Sequence, residues 1–228
     1  LGAVKGDLFK DRSRFLVEDR TLSAAPTVGA AAAVREEAPG GTARVLIVGA
    51  DENTSAAVAS AYAAPAVVTG AAATRSRFLQ EAPASRIVHL AVPTTASSAY
   101  PLLSRLVFTD EPGQRHSGAV LGYDIASRRM NATRLVVVDD VRGVQGYRDA
   151  GHHGLARAFL AAGVPAVLGT LPGADEGATR DLMVRFHRHL AAHGSAADAL
   201  ARIQREVLQT NGRRLGAWSA LVIYGSDR

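Results

Sequence analysis

The chain contains no cysteine. Disulfides, thiolate metal sites and a cysteine nucleophile are therefore excluded together. Lysine is almost as scarce: only Lys5 and Lys10 occur, and the other basic residues are arginines. No apolar run approaches the ~18–20 residues that a membrane-spanning helix needs. No signal peptide opens the chain. H-E-x-x-H and G-x-x-x-x-G-K-[ST] are both missing, so neither a zincin-type site nor a P-loop is expected. What is present is ordinary globular composition: 228 residues, 47% hydrophobic, 21% charged, with 22 Gly and 9 Pro. That length suits a single α/β domain over residues 1–228. The chain opens on Leu1, as expected of the C-terminal part of a longer protein, and a cytoplasmic location is expected.

The net charge of +5 raises the question of a nucleic-acid or membrane partner. The arginines are scattered, with no run longer than a pair. A compositional bias toward Arg is the better reading, and neither partner is expected.

Short apolar runs alternate with helical patterns. Val45–Val48, Ala66–Val68, Arg86–Val92, Leu102–Phe108, Leu135–Val138, Ala166–Leu168 and Leu221–Tyr224 are the strand candidates. Arg14–Ala24 reads as two short strands around a Glu18-Asp19-Arg20 corner. Helices are predicted over Thr54–Tyr62, Thr74–Ala82, Gly154–Ala162 and Ala174–Ala192. A last helix, opened by the capping signal Ser195-x-x-Asp198, runs to Gln209. Continuous apolar strands between helices imply an α/β three-layer sandwich, its mostly parallel sheet of about six strands covered on both faces.

Ligands gather at the carboxyl ends of strands in such a sheet. Gly49 follows one strand, but the next residues contain no second glycine, which argues against dinucleotide binding. Asp139, Asp140, His152 and His153 offer metal-ligand chemistry. Adjacent carboxylates on a strand end point to opposite faces, however, and adjacent helical histidines diverge by about 100°. They are read as solvated loop residues, and no metal or cofactor is expected. A triad of Ser97 or Ser98 with His89 and Asp139 can be drawn, but it lacks the strand–elbow setting of a nucleophilic serine.

Taken in order, a set of motifs resembles the CHAT domain family, caspase-like peptidases related to separase and caspases. Val88-His89-Leu90-Ala91 resembles the family's H-L-A-T-H-G strand, and Tyr100–Ser104 its N-P-L-L-S segment. Val120–Ile125 sits where the family has L-L-T-x-x-D-I. Leu135–Val138 resembles the strand before S-A-C-E-T-G. Gly154–Gly163 matches G-L-x-R-A-F-L-x-A-G almost letter for letter. Asp175, Ala178-Thr179 and Leu182–Leu190 resemble D-x-x-A-T…L-M-x-x-F-Y-x-x-L, and Trp218–Gly225 resembles the closing W-A-A-F-V-L-x-G strand.

The resemblance implies a caspase-like fold and a Cys-His dyad, in which imidazole activates a thiol for attack on a peptide carbonyl. The position matching the catalytic histidine is Pro93, and the one matching the cysteine is Val141. Neither side chain can do the chemistry. Pro172 also stands where the family has a tryptophan. His89 matches the family's first, non-catalytic histidine and is read as a satisfied core residue. The implied function is a pseudo-peptidase that binds a protein partner or upstream domains of its own polypeptide. Its candidate binding residues are Tyr100, Asp139, Asp140, Arg142, Tyr147 and Asp175. The alternative is a hydrolase with a relocated nucleophile at Thr94, Ser97 or Ser98.

Overall fold

The structure is a computed structural model that describes residues 10–11, 14–25, 44–49, 51–97, 99–139, 151–170, 176–210, 219 and 221–226. The side chains of residues 10, 11, 14, 151–153 and 176–178 lie outside that description.

The chain first makes a minimal ribbon, β1 (Lys10–Asp11) against β2 (Arg14–Phe15). Leu16–Asp19 then forms a turn of helix, α1, where the end of the first strand and the corner were expected. The reason is local: the Glu18 carboxylate accepts the Phe15 backbone N–H at 2.7 Å and so fixes the helix start. Val17 drops into the core, so the polar corner of the sequence is a cap.

The main elements follow. They are β3 (Val45–Gly49), α2 (Glu52–Ala59), β4 (Ala66–Thr69), α3 (Arg75–Glu81) and β5 (Ile87–Ala91). Next come β6 (Thr94–Thr95), β7 (Arg105–Val107), β8 (Ala119–Leu121), α4 (Gly122–Ala126) and β9 (Leu135–Val138). The series closes with α5 (Gly151–Ala161), β10 (Ala166–Thr170), α6 (Glu176–His193), α7 (Ala196–Thr210) and β11 (Leu221–Gly225).

Six strands form the main sheet in the order β11-β10-β9-β5-β3-β4. Only the β10–β11 pair is antiparallel. The run Leu102–Phe108 does not join it. Pro101–Leu103 is a 3-10 turn, and Arg105–Val107 is the middle strand of a separate antiparallel sheet, β6-β7-β8. Ser104, fully buried between them, uses its hydroxyl to accept the Ser97 N–H at 3.1 Å.

Side chains alternate across the main sheet, as a period of two requires. Leu46, Val48, Val88, Leu90, Val136 and Val138 meet Phe78, Ile125, Leu155 and Phe159 from α3, α4 and α5. Leu135, Val137 and Leu168 meet Met183, Phe186 and Ile203 from α6 and α7, while Val45 and Ile47 meet Val58 of α2. Both faces are covered, so the strands read as unbroken apolar runs. Each fully buried Phe or Leu contributes about 1.5–3 kcal/mol.

Helix starts follow their caps. Asp51 accepts the Thr54 N–H at 2.8 Å, Thr74 caps α3, and Ser195 accepts the Asp198 N–H at 3.2 Å. Gly49 sits where β3 meets α2, and a Cβ there would lie 2.1 Å from Ser55 Oγ. That strand-end glycine serves helix–strand packing. At the other flank, β11 is edged by the N-terminal segment. Ala24 N–H donates to Ile223 O at 2.7 Å, and Gly225 N–H donates to Ala24 O at 2.8 Å.

Candidate functional site

The strands leading toward the two dyad positions are neighbours. β5 and β9 pair in parallel, Leu90 beside Val138, and the Asp139 N–H donates to Leu90 O at 2.9 Å. Both chains therefore leave the sheet at the same end. Pro93 stands two residues past β5, and its carbonyl accepts the Val107 N–H at 2.8 Å, which ties the strand end to the small sheet. Val141 lies outside the described residues, as do Asp140, Arg142, Tyr147, Asp175, Pro172 and Ser98.

Asp139 was expected to be solvated and is instead buried at the end of β9. Thr170 ends β10 one register step beyond Gly169, the partner of Val138. By the alternation of the sheet, Asp139 and Thr170 face the α6 side together. The Thr170 hydroxyl is buried and has no hydrogen-bond partner among the described residues. Thr94 is buried as well, whereas Tyr100 is strongly exposed. Among the described residues no group of three His, Cys, Asp or Glu side chains could hold a metal ion.

The drawn triad is not assembled. Ser97 Oγ accepts the Tyr100 N–H at 3.2 Å and closes its own loop. His89 lies in the middle of β5 with its imidazole turned into the core. His89 Nδ1 is 3.0 Å from His187 Nε2, and His187 Nδ1 is 2.7 Å from the Tyr62 hydroxyl. His89 is thus a core residue, but a half-satisfied one: its Nε2 has no partner among the described residues.

Proton bookkeeping decides which way this chain runs. If Tyr62 donates to His187, then His187 donates to His89, and a buried N–H is stranded on His89 Nε2. In the reverse order His89 donates to His187, and His187 donates to the Tyr62 oxygen. Only a lone pair of His89 is then left unpaired, and the Tyr62 O–H keeps its proton at a residue that is not fully buried. The reverse order costs less, because a stranded donor is the rarer and worse defect. Burial lowers the His89 pKa to about 4. Burial, and secondarily the His89 charge, holds His187 well below the usual imidazole range. Both rings are neutral at pH 7.

The sequence reading had no place for this network. Its faint signal is His187 falling among Met183, Phe186 and Leu190 on the apolar stripe of α6. Asp51, just past the end of β3, is occupied as a helix cap. The Thr54 hydroxyl and N–H hold its carboxyl below the ordinary range.

Two motif fragments also meet here. A Cβ on Gly154 would lie 2.4 Å from the Pro101 carbonyl oxygen and 2.7 Å from Ser104 Oγ. The glycine opening α5 is what lets the Tyr100–Ser104 segment seat on it. The strand order and these contacts bring the described motif fragments together. A family model described as the CHAT domain matches residues 3–226. The chain belongs to the CHAT domain family. CHAT domains are caspase-like and peptidase-related, and the six-stranded, mostly parallel sheet between two helical layers is that fold. No curated protein matches the chain. No helix among the described residues is long and apolar enough to cross a membrane.

Proposed function

We propose that this CHAT domain is a pseudo-peptidase, a caspase-like scaffold that binds a protein partner, or upstream domains of its own polypeptide, along the former cleft rim. One observation carries the reading. β5 and β9, the strands that lead toward the two dyad positions, run in parallel and finish at the same end of the sheet, yet a proline stands two residues past β5 and the chain has no cysteine. A base and a nucleophile must lie within hydrogen-bond reach to work. His89, the histidine on these strands, is bonded into the core through His187. The contacts are assigned to Tyr100, Asp139, Asp140, Arg142, Tyr147 and Asp175, which in the sequence follow strand candidates, where function concentrates; Asp139, buried at the end of β9, supports them from beneath. The polypeptide is expected to act in the cytoplasm without a cofactor.

Incubation of the purified chain with a mixed peptide library tests the loss of catalysis. No turnover is expected at any pH. Turnover abolished by one substitution, or a fluorophosphonate label on Thr94, Ser97 or Ser98, would replace this reading with a hydrolase. Binding is tested by pull-down with the full-length parent, substituting Tyr100, Arg142 and Tyr147 in turn. Retention through all three changes would remove the rim from the interface.

A further inference from the structure

Seven large apolar side chains are exposed among the described residues, and five of them fall between residues 100 and 123. Leu22 and Val67 stand apart. Tyr100 is 68% exposed, Tyr123 63% and Leu103 51%, with Leu102 and Val107 exposed beside them in sequence. They belong to elements that pack directly on one another. A Cβ on Gly122 would sit 3.1 Å from the Leu102 carbonyl oxygen, which joins α4 to the 3-10 turn. Gly154 joins that turn to α5 in the same way. A concentration of exposed apolar side chains of this kind marks an interaction surface.

Apart from Asp124, the charged side chains on and beside these elements are arginines. Arg105, Arg128, Arg129 and Arg157 are exposed. The carboxylate among them, Asp124, is already engaged: Arg75 lies 3.3 Å from it, and it accepts the Leu121 N–H at 3.1 Å. Tyrosine and arginine are also the residue types that anchor interfaces.

We propose that this face docks an acidic amphipathic helix of a partner protein, its apolar stripe on Leu103 and Tyr123 and its carboxylates against the arginines. The inference rests on the binding role above and adds the partner's chemistry. A helix is favoured because the backbone of this face is largely engaged. The turn, α4 and α5 bond internally, β7 is the middle strand of its sheet, and on the edge strand β8 the Leu121 N–H donates to Asp124 while the Ala119 carbonyl accepts from Arg75. A segment that finds no ladder must satisfy its own N–H and C=O groups. The arginines then supply orientation and speed of encounter more than raw affinity.

The test uses the whole chain and a fluorescent helical peptide of about 20 residues, with leucines on one face and glutamates on its flanks. A counterpart carries glutamine for glutamate. The glutamate peptide should bind, losing about tenfold in affinity between ~50 and ~300 mM salt, and the glutamine peptide should bind more weakly. Tyr123→Ala and Leu103→Ala should each weaken binding about tenfold. Arg128→Glu combined with Arg129→Glu should abolish it. Arg202→Glu, a charge reversal at an exposed position of α7 across the sheet, should leave it unchanged. Equal binding of the two peptides, full affinity in both alanine variants, or equal loss in Arg202→Glu would overturn the proposal. So would a single-stranded oligonucleotide that displaces the peptide and binds Tyr123→Ala undiminished, since the arginines would then serve nucleic acid. Peptide hydrolysis by the chain would sink the pseudo-peptidase reading alone, while these affinities would still decide the docking face.

Discussion

Acidification should loosen this domain well above the pH at which its carboxylates protonate, and the cause should be the buried imidazole pair. His89 and His187 are both fully buried and 3.0 Å apart, and the sheet neighbours of His89 are Ile47 and Val137. The flanking strands Val45–Gly49 and Leu135–Val138 bring no charged side chain to the pair. In the unfolded chain each ring takes up a proton near the ordinary imidazole value of about 6.5. Folded His89 does so only at about 4. The folded state thus binds fewer protons, so its stability is complete above about 6.5 and falls as pH drops toward 4. At pH 5 His89 alone accounts for a loss of about 2 kcal/mol, and His187 adds to it in the same direction. Urea unfolding followed by circular dichroism at pH 7.5, 6 and 5 reads the slope directly. The double variant His89→Leu with His187→Phe removes both titrating groups and should flatten the slope over that range. A proton NMR titration of the unaltered protein gives a second readout, in which neither ring should titrate near 6.5 in the native state. An equal slope in the double variant, or a native imidazole midpoint near 6.5, would refute the reasoning.

Gly49→Ala should destabilise by roughly 1–3 kcal/mol through overpacking against Ser55. Adding Ser55→Ala removes the clashing oxygen and should recover part of that loss in thermal melts. Phe186→Ala, at a fully buried site between α6 and the sheet, should cost about 3–5 kcal/mol in denaturant unfolding.

The strands of the main sheet were legible in the sequence because burial on both faces leaves them apolar throughout, as in Leu135–Val138. The long helix was legible from the spacing of Leu182, Met183, Phe186 and Leu190, all of which are buried. Residues 14–24 misled because a single carboxylate contact, Glu18 to Phe15, decides between a strand pair and a turn of helix. Leu102–Phe108 misled because apolar content does not say which sheet a strand joins. The site was legible only as positions along the chain. Pro93 and Asp139 could be placed at strand ends, but the partners of His89 lie 98 residues away and, through His187, a further 125. No local pattern carries a contact of that separation, and the exposure of Tyr123 and Leu103 is equally a property of packing.

The segment around Ala24 gives the main sheet two unlike margins. On one side its hydrogen bonds to Ile223 and Gly225 occupy the outer rim of β11 with the chain's own backbone. On the other side β4 is the last strand among the described residues. Strand-to-strand association between molecules needs an unoccupied rim on each participant. A subunit with a rim available on one side only can join a single neighbour, and that neighbour's rim is consumed in the act. Growth by this route closes at a pair related by two-fold symmetry and cannot continue into a filament. Holding residues 21–25 in place therefore also limits how far the domain can polymerise through its sheet.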